Sequence, residues 1–308
     1  MARFGPLREV APGVSYADVL KDPDEPLTTG VLRSVLGLVF GLGLFVLVAP
    51  LVAYAVLGLA WALSGSPGDF PAFQEAGQRM EFPAGMLAAH LGLVVLIPIA
   101  FGLVVKLHRV PGRWLSSVQP GFRWRFAIVC FLVAAGVLNL GLLVSRGFTV
   151  GPLAPQADWA WFLVVIVLTS PLQAAAEEFF FRGYLLSALT GLARNKWLGV
   201  LLSALVFAAF HGVQNVPMFC YRFGFGLVAG ALVVLTGGLE AGIAAHVVNN
   251  LCSFGYATLG SSVAAVIAVK EISWVESGSA LASFAAFAAL AWLVGRRMRV
   301  ATLTPSNR

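Results

Sequence analysis

Glu177 and Glu178 stand side by side in an otherwise apolar run, Ala175-Ala176-Glu177-Glu178-Phe179-Phe180-Phe181-Arg182-Gly183, and the stretch before it, Trp159 to Leu168, is almost wholly hydrocarbon. Ionisable side chains at membrane depth are rare, costly and usually functional. Glu178 and Arg182 are four apart, so they lie one above the other on a helix and can neutralise each other. Glu177 points about 100° away and is left without an obvious partner on its own helix. A carboxylate with no fixed counter-charge in a low-dielectric site suits general-base chemistry.

Two further segments place polar groups among hydrocarbon. His211 closes the run Val206-Phe207-Ala208-Ala209-Phe210-His211, and His246 and Asn250 stand four apart in Ala245-His246-Val247-Val248-Asn249-Asn250-Leu251. That spacing puts His246 and Asn250 on one helix face. Singly, a histidine at the end of a span packs at the interface, and a His–Asn pair makes an interhelical hydrogen bond of roughly 1 kcal/mol. The three segments occur together in one small bundle, and that coincidence favours chemistry over packing. Counting helix rise, Glu177 and His211 lie roughly 20 Å above one end of their helices, and His246 and Asn250 roughly 10 and 16 Å. The three segments can therefore face one another.

The elements that must position these groups follow from composition. The 308-residue chain is 59% hydrophobic and 11% charged, with a mean hydropathy of +0.88. A soluble domain is nearer half apolar and one quarter charged. Crossing hydrocarbon takes about 20 apolar residues, and the candidate spans are Val31–Leu63, Ala84–Leu107, Phe126–Ser145, Trp159–Thr190, Leu198–His211, Phe219–Leu235, Leu239–Leu259 and Ser279–Val294. The fold expected is an all-α polytopic transmembrane bundle of about eight spans enclosing a polar intramembrane cavity. The first and fourth spans are long enough to be tilted, kinked at Pro50 and Pro171, or partly interfacial. Gly37 and Gly41, and Gly226 and Gly230, form GxxxG pairs that let helix backbones approach closely.

Charge gives the orientation. Lys106, Arg109, Arg113, Arg123 and Arg125 lie between spans two and three, Arg194 and Lys196 between four and five, and Arg296, Arg297 and Arg299 after the last. Positive loops stay in the cytoplasm, so both termini are expected there, in a bacterial inner membrane. The net charge of +6 then reflects topology and anionic lipid headgroups, and no nucleic-acid partner is implied. No cleavable signal peptide is evident. The division expected is a polar cytoplasmic tail over residues 1–27, disordered in part, a transmembrane domain over 28–299 with its motif core at 159–251, and a C-terminal tail over 300–308. Cys130, Cys220 and Cys252 are isolated, with no CxxC, and read as packing residues.

The set EExxxR (Glu177, Glu178, Arg182), FxxxH (Phe207, His211) and HxxxN (His246, Asn250), in that order and on separate spans, resembles the three signature motifs of the CPBP family. These are the type II CAAX prenyl endopeptidases and bacteriocin-processing proteins, also called the ABI family. The resemblance covers roughly Trp159 to Leu251 and implies an intramembrane protease. It implies that Glu177 is the catalytic glutamate, that His211 helps it polarise a water, and that His246 and Asn250 stabilise the oxyanion. Glu178 and Arg182 are then structural partners, and Phe207 sets the orientation of His211. The implied substrate is a prenylated or otherwise lipidated protein, or a small membrane peptide.

Two glutamates and two histidines also fit zinc, through Glu177, His211 and His246 with a water in the fourth position. Against this, HExxH is absent and the histidines lie on different helices, so no cofactor is expected to be required. The other functional readings are a non-catalytic peptide-binding immunity or scaffold protein and a proton-coupled transporter; the chain has no repeat symmetry of the transporter kind. Outside the motifs, Glu240 reads as an interfacial carboxylate at a helix N-terminus, Arg222 as a snorkelling cation, and His90 as a packing residue.

Overall fold

A computed structural model describes residues 7–212 and 214–306. It consists of helices; among the described residues there is no strand, only two isolated bridges, Ser15 with Leu303 and Ser117 with Gly238. The helices are α1 (Leu27–Leu63), α2 (Phe70–Gln78), α3 (Pro83–Val94), α4 (Leu96–Gly102), α5 (Trp124–Ser145), α6 (Trp159–Glu177), α7 (Leu186–Ala193), α8 (Lys196–Ala209), α9 (Val216–Thr236), α10 (Glu240–Gly260), α11 (Val263–Ala268) and α12 (Trp274–Arg297). Two π-helical segments interrupt them. Leu103–Leu107 extends α4, and Glu178–Leu185 joins α6 to α7.

The chain is a helical membrane bundle. Among the described residues, six helical stretches are long and apolar enough to span, against the eight expected: Leu27–Leu63, Pro83–Leu107, Trp124–Ser145, Trp159–Ala193, Val216–Thr236 and Trp274–Arg297. The other two expected spans are helices with different properties. α8 has only 14 residues, about 21 Å of rise. α10 has the length, but it carries Glu240, His246, Asn249 and Asn250 and is buried from Glu240 to Val248 among α5, α6 and α9. It faces protein, so its sequence is free of the demand for hydrocarbon that lipid imposes.

Lipid-facing side chains such as Leu47, Leu51, Leu132 and Val167 are exposed along α1, α5 and α6. The core lies between the π segment and its neighbours. Both GxxxG pairs pack helices, as expected. A methyl at Gly37 would lie 1.8 Å from the Tyr184 hydroxyl, so α1 lies directly against the π segment. A methyl at Gly226 would lie 2.9 Å from Ala204, and one at Gly230 2.9 Å from Val200, which sets the α8–α9 approach. Pro50 and Pro171 lie within α1 and α6, and in the long fourth stretch the change of helical geometry comes at Glu178.

The terminal segments meet each other at one end of the bundle. Val10, Tyr16, Ala17, Val19 and Leu20 are buried, and Tyr16 Oη donates to the Leu115 carbonyl. Thr304 Oγ1 accepts from Val14 N at 2.8 Å and donates to Ala11 O at 2.6 Å. The stretch expected to be a partly disordered tail is thus packed between Val10 and Leu20, where its own apolar residues are buried against the bundle; Met1 to Pro6 and the last two residues lie outside the described part. Cys130 is buried in the core, and all three cysteines are free thiols.

Candidate active site

Glu177 is the last residue of α6 and Glu178 the first of the π segment. A π turn makes i→i+5 hydrogen bonds and is frequent at functional sites. Here it leaves the Phe181 carbonyl to accept from Ser203 Oγ of α8 at 2.6 Å, which ties the segment to its neighbour. Glu178 is 0% exposed, and Arg182, one turn on, is 1% exposed. Arg182 Nη1 lies 3.1 Å from Glu178 Oε1, the ion pair that the spacing predicted. The guanidinium also lies over the Phe207 ring, 3.9 Å from its centroid, with the Phe225 ring at 5.2 Å. Cations are attracted to aromatic faces, most strongly where water is excluded.

His246 sits between the two glutamates. Its Nδ1 donates to Glu178 Oε1 at 2.9 Å, and its Nε2 faces Glu177 Oε2 at 3.5 Å. An ionised carboxylate only accepts, so the Nδ1 proton is assigned by its partner. Glu178 therefore does more than brace Arg182: it also fixes the ring that faces Glu177. Phe225 packs edge-on against that ring, with centroids 5.2 Å apart.

Glu177, 8% exposed, has a partner on its own helix after all. Gln173 Nε2 donates to its Oε1 at 2.9 Å, and Gln173 Oε1 accepts from Asn250 Nδ2 at 2.7 Å. Asn250 thus joins the cluster through an amide that the motif reading overlooked. The signal was present in the sequence as a polar residue four before Glu177 on the same helix face.

His211 lies just beyond α8. Its Nδ1 donates to the Phe207 carbonyl at 2.8 Å, and its ring packs edge-on to the Phe207 ring, with centroids 4.6 Å apart. Phe207 therefore orients His211 through its main chain as well as its ring, and leaves Nε2 as the acceptor. Among the described residues no hydrogen bond joins His211 to Glu177 or His246. Six of the seven motif residues are thus linked in one cluster by direct contact, and Asn250 is linked through Gln173. A cavity of about 250 Å³ lies elsewhere, between the N-terminal segment, α1 and α7, and no motif residue lines it.

Of three residues outside the motifs, two are placed differently from their expectations. Glu240 is 0% exposed, not interfacial. Its Oε2 pairs with Arg123 Nη2 at 2.6 Å, and its Oε1 accepts from Arg123 Nε at 2.9 Å and from Arg123 N at 3.0 Å. Arg222 turns inward, where its Nη1 donates to the His211 carbonyl at 3.4 Å. His90 packs as expected and donates from Nδ1 to Thr169 Oγ1 at 2.7 Å, since the Thr169 hydroxyl is spent on the Val165 carbonyl. For zinc, the donor set does not converge: among the described residues no three His, Cys, Asp or Glu side chains form a metal-holding group. The Nδ1 atoms of both site histidines are already committed to protein acceptors.

Fold and site together define a helical membrane protein with a buried glutamate–histidine–amide centre. Comparison with known proteins agrees. Residues 158–252 match the family model described as type II CAAX prenyl endopeptidase Rce1-like, the family that the motifs resemble. The chain is also 25% identical, over 184 residues, to an uncharacterized protein, YyaK, of Bacillus subtilis (strain 168). That match takes in 52% of this chain and spans 62% of the relative's own length.

Proposed function

We propose that this protein is an intramembrane endopeptidase that hydrolyses a peptide bond of a membrane-associated peptide or protein by a glutamate-activated water. The observation that carries the reading is the placement of His246 of α10 between Glu177 and Glu178 of α6 and the π segment. Motif residues distant in sequence become one site at the buried end of an apolar helix.

In this mechanism Glu177 takes a proton from water while His211 Nε2 orients it. The water oxygen bonds to the scissile carbonyl carbon, and the carbonyl electron pair moves onto oxygen. Asn250, a donor that does not titrate, stabilises that oxyanion, and His246 holds its ring beside the Glu177 carboxylate. Glu177 then returns the proton to the leaving nitrogen as the carbon–nitrogen bond breaks. The Glu178–Arg182 pair holds the π segment and the His246 ring in place. The amide of Asn250, a poor zinc ligand and a good hydrogen-bond donor, supports a reaction without zinc.

The substrate class is a peptide or protein held at the membrane, either lipidated at a C-terminal cysteine or a small leader or bacteriocin-like peptide. Both terminal segments pack at the bundle end that carries Arg109, Arg113 and Arg123. By the positive-inside bias that end faces the cytoplasm, in a bacterial inner membrane. The test is cleavage in liposomes of a quenched peptide carrying a lipidated C-terminal cysteine, by wild type, Glu177→Ala and His211→Ala. Activity confined to the wild type is expected; equal turnover in all three would contradict the assignment. A chelator should leave the wild-type rate unchanged, and loss of activity restored by zinc would overturn the metal-free mechanism.

A further inference from the structure

Gln173 is held at both ends of its amide, and both partners belong to the site. Its Nε2 donates to Glu177 Oε1, and its Oε1 accepts from Asn250 Nδ2. Asn249 Nδ2 donates in turn to Asn250 Oδ1 at 3.1 Å. Because the terminal carboxylate only accepts, the direction of every bond is fixed. Donors run one way, from Asn249 through Asn250 and Gln173 to Glu177, and such a chain polarises its members in the same sense. Gln173 is 5% exposed, so bulk water does not compete for either end.

We propose that Gln173 is a positioning residue that couples the general base to the oxyanion donor, a role that rests on the hydrolytic reading above. On the base side it occupies Oε1 of Glu177, which leaves Oε2, the oxygen facing His246, for the water. On the donor side it takes one of the two Nδ2 hydrogens of Asn250 and directs the other to the place where the oxyanion forms. Leucine or methionine at this position is similar in size and makes neither bond, so Asn250 is free to exchange its oxygen and nitrogen ends.

The test measures kcat, KM and thermal unfolding in proteoliposomes for wild type, Gln173→Leu, Gln173→Met, Asn250→Ala and the double variant Gln173→Leu/Asn250→Ala. In both single Gln173 variants kcat should fall about 10- to 100-fold, as for a displaced acid–base group, with KM within about threefold. In the Asn250→Ala background the loss from Gln173→Leu should shrink about tenfold, because coupled residues are not additive. A rise in KM with kcat unchanged, additive losses in the cycle, or unfolding of both Gln173 variants would overturn the positioning role. A wild type that cleaves nothing would remove the hydrolytic reading as well. A wild type that cleaves while Gln173→Leu matches it would remove only the role of Gln173.

Discussion

Among the described residues, two arginine–glutamate pairs have fully buried carboxylates, and they are built to different standards. Arg123 and Glu240 are bidentate, Glu240 also accepts from a backbone amide, and Arg123 Nη1 donates to the carbonyls of Thr236 and Ala301 at 2.9 and 3.0 Å. That pair fastens the starts of α5 and α10 to the C-terminal segment. Arg182 and Glu178 meet at 3.1 Å without hydrogen-bond alignment, none of the three guanidinium nitrogens is hydrogen-bonded, and Glu178 Oε2 has no partner. Aromatic faces take the place of acceptors around Arg182. Buried polar groups are normally satisfied, and exceptions call for a reason. Proteins break local rules mainly at functional sites. The satisfied pair is architecture, and the unsatisfied one borders the proposed catalytic centre.

Substitutions can break or sharpen that contrast. The largest effect should come from Arg123→Met, which strands the Glu240 carboxylate in the core. Removing one partner of a buried pair costs about 3–5 kcal/mol, read as an earlier denaturation midpoint, with kcat per folded molecule unchanged. Asn250→Ala should do the reverse, lowering kcat by about 10²–10³, the usual cost of one oxyanion donor, while unfolding moves little. Phe207→Leu removes the ring beneath Arg182 and should cost about 2 kcal/mol of stability; no loss in a thermal scan would show that the guanidinium does not rely on that face. Thr304→Val should cost only about 1 kcal/mol, the net worth of a hydrogen bond. A larger loss would mean that the terminal clasp is part of the core.

The same contrast marks where the sequence was legible. All eight apolar runs are helical, since lipid demands hydrocarbon wherever a helix faces it, and the short α2 and α11 lie outside them. The runs overstated the number of spans, because α10 is walled by protein and α8 is short. The Glu178–Arg182 pair follows from local spacing, and that is why it could be read. Arg123 and Glu240 are 117 positions apart, and no local pattern links them. Gln173 was within reach of the four-residue rule but stood outside the motif. The N-terminal segment reads as a polar tail, yet Val10, Tyr16, Val19 and Leu20 are buried against the bundle, a tertiary fact that composition does not carry.

The central claim is that Glu177, beside the under-satisfied Glu178–Arg182 pair, performs the chemistry, whereas the satisfied Arg123–Glu240 pair holds the fold. It is tested most directly by comparing Glu177→Gln with Glu240→Gln in proteoliposomes, with peptide cleavage per folded molecule and thermal unfolding measured on the same samples. The account predicts that Glu177→Gln unfolds like wild type and has lost cleavage by about 10³-fold or more, in the range of general acid–base catalysis. It predicts that Glu240→Gln unfolds early and cleaves normally per folded molecule. Cleavage retained by Glu177→Gln, or lost by a folded Glu240→Gln, would contradict it.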